Sequence, residues 1–482
     1  MDTNRNLTLL TDLYELTMAY GYFLEENKDT VVFDVYFRKN PGGSGYTIAC
    51  GLQQIIEYIN NFHFNEEDIA YLRSIKLFNE DFLNYLKDLK FSGNIYAIKE
   101  GTPIFPKEPV IKIEAPIIQA QIIETAILNI FNHQTLIATK AARVCYVAKN
   151  RGVLEFGLRR AQGPDAGLYG ARAAMIGGCV ATSNVLAGKM FDVAVKGTHA
   201  HSWIMSFDSE YLAFKKYAQI FPSACILLVD TYDSLKSGIP NAIKVFTELK
   251  KENKLEKGYG IRLDSGDLAY LSKKARKMLD EAGLEDALIS VSNDLDEYLI
   301  FDLINQGACI NILGVGTNMI TSKDCPSLGG VYKLAAIKSN DNMYVPKIKL
   351  SDNVEKITNP GNKKIYRVFD QKTHKMLADL ICLVDEYITN DEELELFDPD
   401  KIWKKLILSP NTYYLEELLL PIFENGRQVY FSPSVNDIAK YSKLMKETLW
   451  DEVKRLYNPH EVYIDLSKKL YDLKEELIKQ QR

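Results

Sequence analysis

Between Val153 and Thr317 the chain repeats one pattern: a short apolar run, a polar or glycine-rich cluster, then a stretch with helical periodicity. That alternation marks βα units, and it dictates a parallel sheet, because parallel neighbours need a crossover helix between them. Ile226 to Val229 reads as a buried strand ending in Asp230-Thr231-Tyr232-Asp233, after which Ile239, Ala242, Ile243, Phe246 and Leu249 share one helix face. Tyr259 to Leu263 ends in Asp264-Ser265-Gly266-Asp267, ahead of a helix marked by Leu268, Leu271, Ala275, Met278 and Leu279. Ala287 to Val291 leads into Ser292-Asn293-Asp294, and Cys309 to Leu313 into Gly314-Val315-Gly316-Thr317-Asn318. Two earlier runs obey the same rule: Val153 to Phe156 before Gly157-Leu158-Arg159-Arg160, and Asp192 to Lys196 before Gly197-Thr198-His199-Ala200-His201-Ser202.

In parallel α/β folds the site lies at the carboxyl ends of the strands, so these six polar clusters should converge on one cavity. The fold class expected is α/β, with a barrel preferred over an open doubly wound sheet, which gathers its ligand groups near one switch point and would leave some clusters idle. The flanks read differently. Leu7 to Phe23 is expected as a helix, Val31 to Arg38 as a strand, and Pro41 to Gly45 as an exposed turn. Lys90 to Ala120 alternates short β-like runs with Gly and Pro, and after about Pro346 the βα rhythm gives way to charged amphipathic helices. The expected division is an N-terminal mixed α/β lobe over 1–135, the barrel with the active site over 136–345, and a segment over 346–482 that packs with the first lobe, so that both termini build one domain.

With 482 residues, two or three folding units are expected, and apolar and charged fractions of 46% and 25% describe an ordinary globular chain. A net charge of −6 argues against a nucleic-acid partner, so any anionic ligand must be met by local positive charge. The seven cysteines are scattered with no CxxC pair, which argues against disulfides and a zinc site. Met1 to Leu10 lacks the basic start and apolar core of a signal peptide, and no run reaches bilayer length, so no membrane association and a cytoplasmic location are expected.

Two of only six histidines, His199 and His201, stand two positions apart at a strand end, where extended backbone points both to one side. A metal pair is one reading, but the remaining histidines fall outside the strand-end clusters and zinc would have to lean on Asp230 and Asp264. A nucleophilic, phosphate-accepting histidine fits better, with a purely structural pair as the plainer alternative. Arg159 and Arg160 precede Pro164 and suit a first helical turn, where a guanidinium grips phosphate or carboxylate; the alternative is an exposed basic pair. Gly314-Val315-Gly316-Thr317 can present backbone N–H groups to phosphate, though it is neither a Walker loop nor a dinucleotide fingerprint. Asp230, Asp264 and Asp267 can orient ribose hydroxyls, hold Mg²⁺ or stabilise an oxocarbenium charge; for Asp267 a helix cap is the stronger alternative.

Taken in order, Leu9-Leu10-Thr11-Asp12-Leu13-Tyr14-Glu15-Leu16-Thr17-Met18, Glu155 to Arg160, Gly197 to Ser202, Val229 to Asp233, Ile261 to Asp267, Gly314 to Thr317 and Ser327-Leu328-Gly329-Gly330-Val331-Tyr332-Lys333-Leu334 resemble nicotinate phosphoribosyltransferases. The resemblance implies an irregular α/β barrel, a homodimer whose partner completes the active site, and nicotinate, phosphoribosyl pyrophosphate and ATP as substrates, with Mg²⁺. It implies phosphorylation of His201 by ATP, with hydrolysis of the phosphohistidine driving formation of nicotinate mononucleotide in NAD salvage. Asp230 and Asp264 would face the ribose or a Mg²⁺ carried by the phosphates, with no metal held by protein ligands alone. Tyr14 and Phe156 would sandwich the pyridine ring, and Arg159 and Arg262 would face the ligand carboxylate and phosphates. Thr198 is a further contact, Asn293, Gly316 and Thr317 would cradle the ribose 5-phosphate, and Thr358 would touch phosphoribosyl pyrophosphate. A nicotinamide-specific enzyme is the close rival; a metal-dependent barrel hydrolase using His199 and His201 and a non-catalytic barrel are the others.

Overall fold

The structure is a computed structural model that describes residues 6–339, 341, 343–353, 356–399 and 401–480. The chain divides into two units, one contiguous over Ile137–Pro326 and joined by Ser434–Ala439, the other assembled from Met1–Leu136, Ser327–Pro433 and Lys440–Arg482.

In the contiguous unit the apolar runs form six parallel strands: β1 (Gly152–Glu155), β2 (Ala181–Thr182), β3 (Ile226–Leu228), β4 (Gly260–Leu263), β5 (Leu288–Val291) and β6 (Ile312–Val315). They lie in the order β2-β1-β6-β5-β4-β3. Every strand but β2 therefore neighbours its successor in the chain and the last pairs with the first, Ile312 in register with Gly152, which is the neighbour relation of a ring left open between β2 and β3. At that opening the 192–196 run, expected as a full strand, supplies only a single bridge from Val195 to Thr182. Asp192 at its start has a φ of 52°, which breaks extended pairing. The short strand Ala181–Thr182, not anticipated from sequence, occupies that side instead.

The intervening helices bury the faces that periodicity marked. Of the marked residues Ile239, Ala242 and Phe246 are buried on the helix Ile239–Lys251, joined by unmarked Val245, and Leu268, Ala275 and Leu279 on Leu268–Glu281, while Ile243, Leu249, Leu271 and Met278 are half-buried. Burying each large side chain contributes roughly 2 kcal/mol. Asp267 caps the second helix, its carboxylate accepting the Tyr270 N–H at 2.9 Å, so the capping alternative describes this residue.

In the other unit, Thr30–Tyr36 lies antiparallel between Ile111–Pro116 and Val331–Lys338. The last of these falls within the span assigned to the barrel from sequence, and here it pairs with the N-terminal strand. A four-stranded sheet runs Tyr413–Glu417, Lys363–Asp370, Met376–Leu383, Tyr463–Leu466. The expectation of helices after Pro346 holds for Val435–Thr448 and Lys468–Gln480, whereas Lys363 to Gln428 is largely β. The first helix begins at Leu13 rather than Leu7. The 41–45 segment is mostly buried, not exposed: a Cβ on Gly45 would stand 2.2 Å from the Val453 carbonyl oxygen, so contact with the C-terminal segment demands glycine. Among the described residues no helix is long and apolar enough to cross a membrane.

Candidate functional site

The strand ends of the contiguous unit are knitted together by one side chain, Arg262 on β4. Its Nε donates to Ser292 Oγ at 2.8 Å, Nη1 to Thr198 Oγ1 at 2.9 Å and Nη2 to Asp264 Oδ1 at 3.0 Å. Its guanidinium also lies over the Phe156 ring, 5.7 Å from the centroid. A planar fork of five donors suits this junction, and an ammonium group would not reach three acceptors in one plane. Register explains the reach: Arg262 pairs with Ser290, two residues before Ser292, so both point to the same face at the strand ends.

Asp230, after β3, is locked from the other side. Its Oδ2 accepts the Asp264 N–H at 2.8 Å and the Ser265 hydroxyl at 2.6 Å. Its Oδ1 is buried and has no hydrogen-bond partner. His201 Nε2 stands 3.9 Å from that oxygen and 4.0 Å from Asp264 Oδ2, while His201 Nδ1 lies 3.1 Å from Thr231 Oγ1. The imidazole is 41% exposed, whereas the Asp230 side chain is 3% exposed. A reachable ring backed by two carboxylates is the arrangement a phosphoryl acceptor needs, and the bare Asp230 oxygen leaves room for a cation.

The two histidines do not share a side. The chain turns helical at His201, the first residue of His201–Met205, and the His199 ring is buried, 4.6 Å from the Tyr217 ring. Its Nε2 accepts the Leu228 N–H at 3.2 Å, which uses the lone pair a metal would need. Burial pushes its imidazole down to about 4; the Ala200 carbonyl opposes that shift and the Arg262 and His201 charges add to it. His199 is thus a neutral fastener for β3.

Phe156 leaves β1 with its N–H on the Val315 carbonyl at 2.8 Å. A Cβ on Gly314 would sit 2.6 Å from Phe156 Cδ2, so the ring packs directly on bare β6 backbone. Gly316 and Thr317 open the turn Thr317–Ile320, with a Gly316 Cβ position 3.2 Å from the Phe156 carbonyl oxygen. Asn293 is exposed with a φ of 97° and Asp294 follows at 41°, consecutive left-handed residues at the end of β5 of the kind that cluster at functional sites. Arg159 and Arg160 are exposed in a separate short turn, Leu158–Arg160; the helix begins only at Pro164, so they do not form its first turn. Sequence reasoning gave no site role to Ser292, Thr231, Glu155 and Thr182; the strand-end position of the first three was the signal available.

Tyr14 and Thr358 belong to the other unit. Tyr14 is exposed on the helix Leu13–Leu24 and its hydroxyl bonds Glu124; partial burial and the Glu124 and Glu15 charges raise its pKa. Behind it Glu15 is buried, accepting hydrogen bonds from Thr11 and Thr125, and burial lifts its carboxyl to about 7. Leu10, Leu13, Tyr14 and Met18 leave an exposed apolar face. Thr358 lines a cavity with Asp34, Tyr36, Lys107, Lys333 and Lys363. Asp34 is opposed across the sheet by Lys112 and Lys333 and bonds Lys363 at 2.8 Å, so lysines outnumber the one carboxylate there. Burial pulls Lys112 down to about 8.

Comparison with known proteins covers the chain almost throughout. Residues 9–132 match the N-terminal domain of nicotinate phosphoribosyltransferase, 152–377 the nicotinate phosphoribosyltransferase family and 362–474 its C-terminal domain. A nicotinate phosphoribosyltransferase of Bacillus subtilis is 47% identical over 463 residues, 96% of this chain and 93% of that one. The Homo sapiens nicotinate phosphoribosyltransferase is 32% identical, covering 96% of this chain and 95% of its own length. A crystal structure of human nicotinic acid phosphoribosyltransferase superposes with a TM-score of 0.83 at 29% identity, covering 97% of this chain and 99% of that one.

Proposed function

The chain belongs to the nicotinate phosphoribosyltransferase family, and on that premise we propose that it joins nicotinate to phosphoribosyl pyrophosphate, releasing pyrophosphate and nicotinate mononucleotide for NAD salvage, with ATP turnover through His201. The observation that carries the coupled reaction is the exposed His201 ring between Thr231 and the Asp230–Asp264 pair. Thr231 lies on the Nδ1 side of the ring and the carboxylates on the Nε2 side, and whichever nitrogen carries the lone pair takes the γ-phosphoryl group of ATP: a P–N bond forms as the P–O bond to ADP breaks, and water later releases phosphate.

In the transfer itself the pyridine nitrogen attacks ribose C1 as pyrophosphate departs, and no general base is needed, because that nitrogen already carries its lone pair. Phe156 offers a flat face for the ring, with Arg262 beside it for the carboxylate and Thr198 held by Arg262. Asn293, Gly316 and Thr317 would hold the 5-phosphate, and exposed Arg159 is free to swing onto anionic groups. Asp230 and Asp264 fit a Mg²⁺ carried by the phosphates, since Asp230 Oδ1 is buried without a donor; such an ion supplies charge neutralisation on the leaving group.

The ring-like strand order supports an irregular barrel. The exposed apolar face around Tyr14 supports a homodimer in which the partner's Tyr14 covers the pyridine ring, and the lysine-lined cavity at Thr358 supports a phosphate contact there. The test is mononucleotide formation from nicotinate, phosphoribosyl pyrophosphate and Mg²⁺, with and without ATP, beside a nicotinamide control and His201→Ala. Stimulation by ATP that disappears in the variant supports the reading; product from nicotinamide alone would reassign the substrate, and ATP stimulation intact in His201→Ala would remove His201 from the coupling.

A further inference from the structure

Glu155, the last residue of β1, is completely buried. Among the described residues no cation pairs with it: its Oε1 accepts the Gly157 N–H and its Oε2 the Thr182 hydroxyl at 2.6 Å. Burial accordingly raises its carboxyl above the ordinary range, with both hydrogen bonds opposing. A lone ionisable group in such a place costs stability unless it does something an apolar residue would not.

What it does is join two strand ends. On one side it closes the backbone around Phe156, the residue between Glu155 and Gly157. A Cβ on Gly157 would stand 2.9 Å from Glu155 Oε1 and 2.4 Å from Ile320 Cβ, so only glycine fits under that carboxylate. On the other side Thr182 Oγ1, besides donating to Glu155, accepts the Asn184 N–H at 3.0 Å. Asn184 in turn caps the helix Val185–Phe191 through the Ala187 N–H at 3.1 Å and donates to the Gly167 carbonyl at 3.1 Å. The Ser183 N–H completes the link on the Glu155 carbonyl at 2.9 Å.

We infer that Glu155 is the positioning residue for the nicotinate ring: its carboxylate clamps the β1 end that carries Phe156 to the β2 end at Thr182, fixing the platform against which the ring stacks. The inference rests on the reading of Phe156 as that platform. Glu155 touches no substrate; it acts through Phe156 and the Thr182 turn.

The experiment compares steady-state kinetics of Glu155→Ala, Glu155→Gln, Thr182→Val and Phe156→Ala with the wild type, varying nicotinate and phosphoribosyl pyrophosphate separately. Loosening the clamp in Glu155→Ala or Thr182→Val should raise KM for nicotinate about tenfold while KM for phosphoribosyl pyrophosphate moves less than about twofold. Glutamine keeps an acceptor for Gly157 and can donate to Thr182 Oγ1, so Glu155→Gln should restore KM for nicotinate to within about threefold. If Glu155→Ala does not fold, Thr182→Val and Glu155→Gln decide the matter. Equal changes in both KM values, no change in either, or a glutamine variant as impaired as alanine would overturn the inference. Phe156→Ala with an unaltered KM for nicotinate would instead sink the platform reading itself.

Discussion

Arg262 on β4 and Ser292 just past the end of β5 meet through one 2.8 Å hydrogen bond, and Asp264 accepts from both of them. That triangle makes the guanidinium a fixed part of the wall. Arg262→Lys keeps the charge and loses the fork, so kcat/KM for nicotinate should fall by about 100-fold or more with little loss of thermal stability. A lysine variant within about threefold of wild type would show that charge alone is required.

Gly314 offers a sharper test of the Phe156 face. A methyl group there must displace the ring, given the 2.6 Å approach to Cδ2. Gly314→Ala should raise KM for nicotinate roughly tenfold and leave far-ultraviolet circular dichroism unchanged. An unchanged KM would mean that the ring position is not limiting.

His199 predicts a stability effect at mildly acidic pH. Its folded pKa, about 4, lies below that of an unfolded histidine, so the unfolded chain binds the proton first. The stability it contributes is complete above about pH 6.5 and is lost as pH falls toward 4, on the order of 3 kcal/mol in total. His199→Gln should flatten that part of the unfolding profile, measured by urea titration between pH 4 and 7. A profile identical to wild type would refute the assignment.

Asp465 predicts the opposite slope. It is buried near Asp398 and Asp379, its Oδ1 has no partner, and burial followed by those two charges lifts its carboxyl to about 7. A raised carboxyl stabilises while protonated, below about pH 4, and that stability is lost as pH rises through 7. Asp465→Asn should therefore melt roughly 2–4 °C above wild type at pH 8, with the advantage shrinking toward pH 4. A constant difference across pH would contradict it.

The parallel strands and the convergence of their polar ends were legible because βα alternation is local: apolar run, cap and helix face lie within about 30 residues. Asp230 and Asp264 were placed by that rule, Phe156 and Arg262 by the family resemblance, and hydrogen bonds or ring contact join them. The division of labour between His199 and His201 was not legible, because it depends on where the helix starts and on a donor, Leu228 N–H, from another strand. Glu155 was hidden for a related reason: its partner Gly157 lies in the loop after β1, and its partner Thr182 in the strand Ala181–Thr182, which is too short to give periodicity. Downstream of Pro346 the strands Lys363–Asp370 and Met376–Leu383 are buried along almost their whole length, so burial does not alternate along them, and the sheet there emerges only from pairing as distant as Ile381 with Leu466.

The strand Thr30–Tyr36 is zipped to Val331–Lys338, some three hundred residues later, while the whole parallel sheet is encoded in between. On a ribosome the inner unit can therefore complete its sheet while Thr30–Tyr36, already beside Ile111–Pro116, still waits for Val331–Lys338 to be made. The N-terminal segment, with its exposed apolar helix, is then the part of the nascent chain most in need of shelter. Its unit is the last to acquire a native structure.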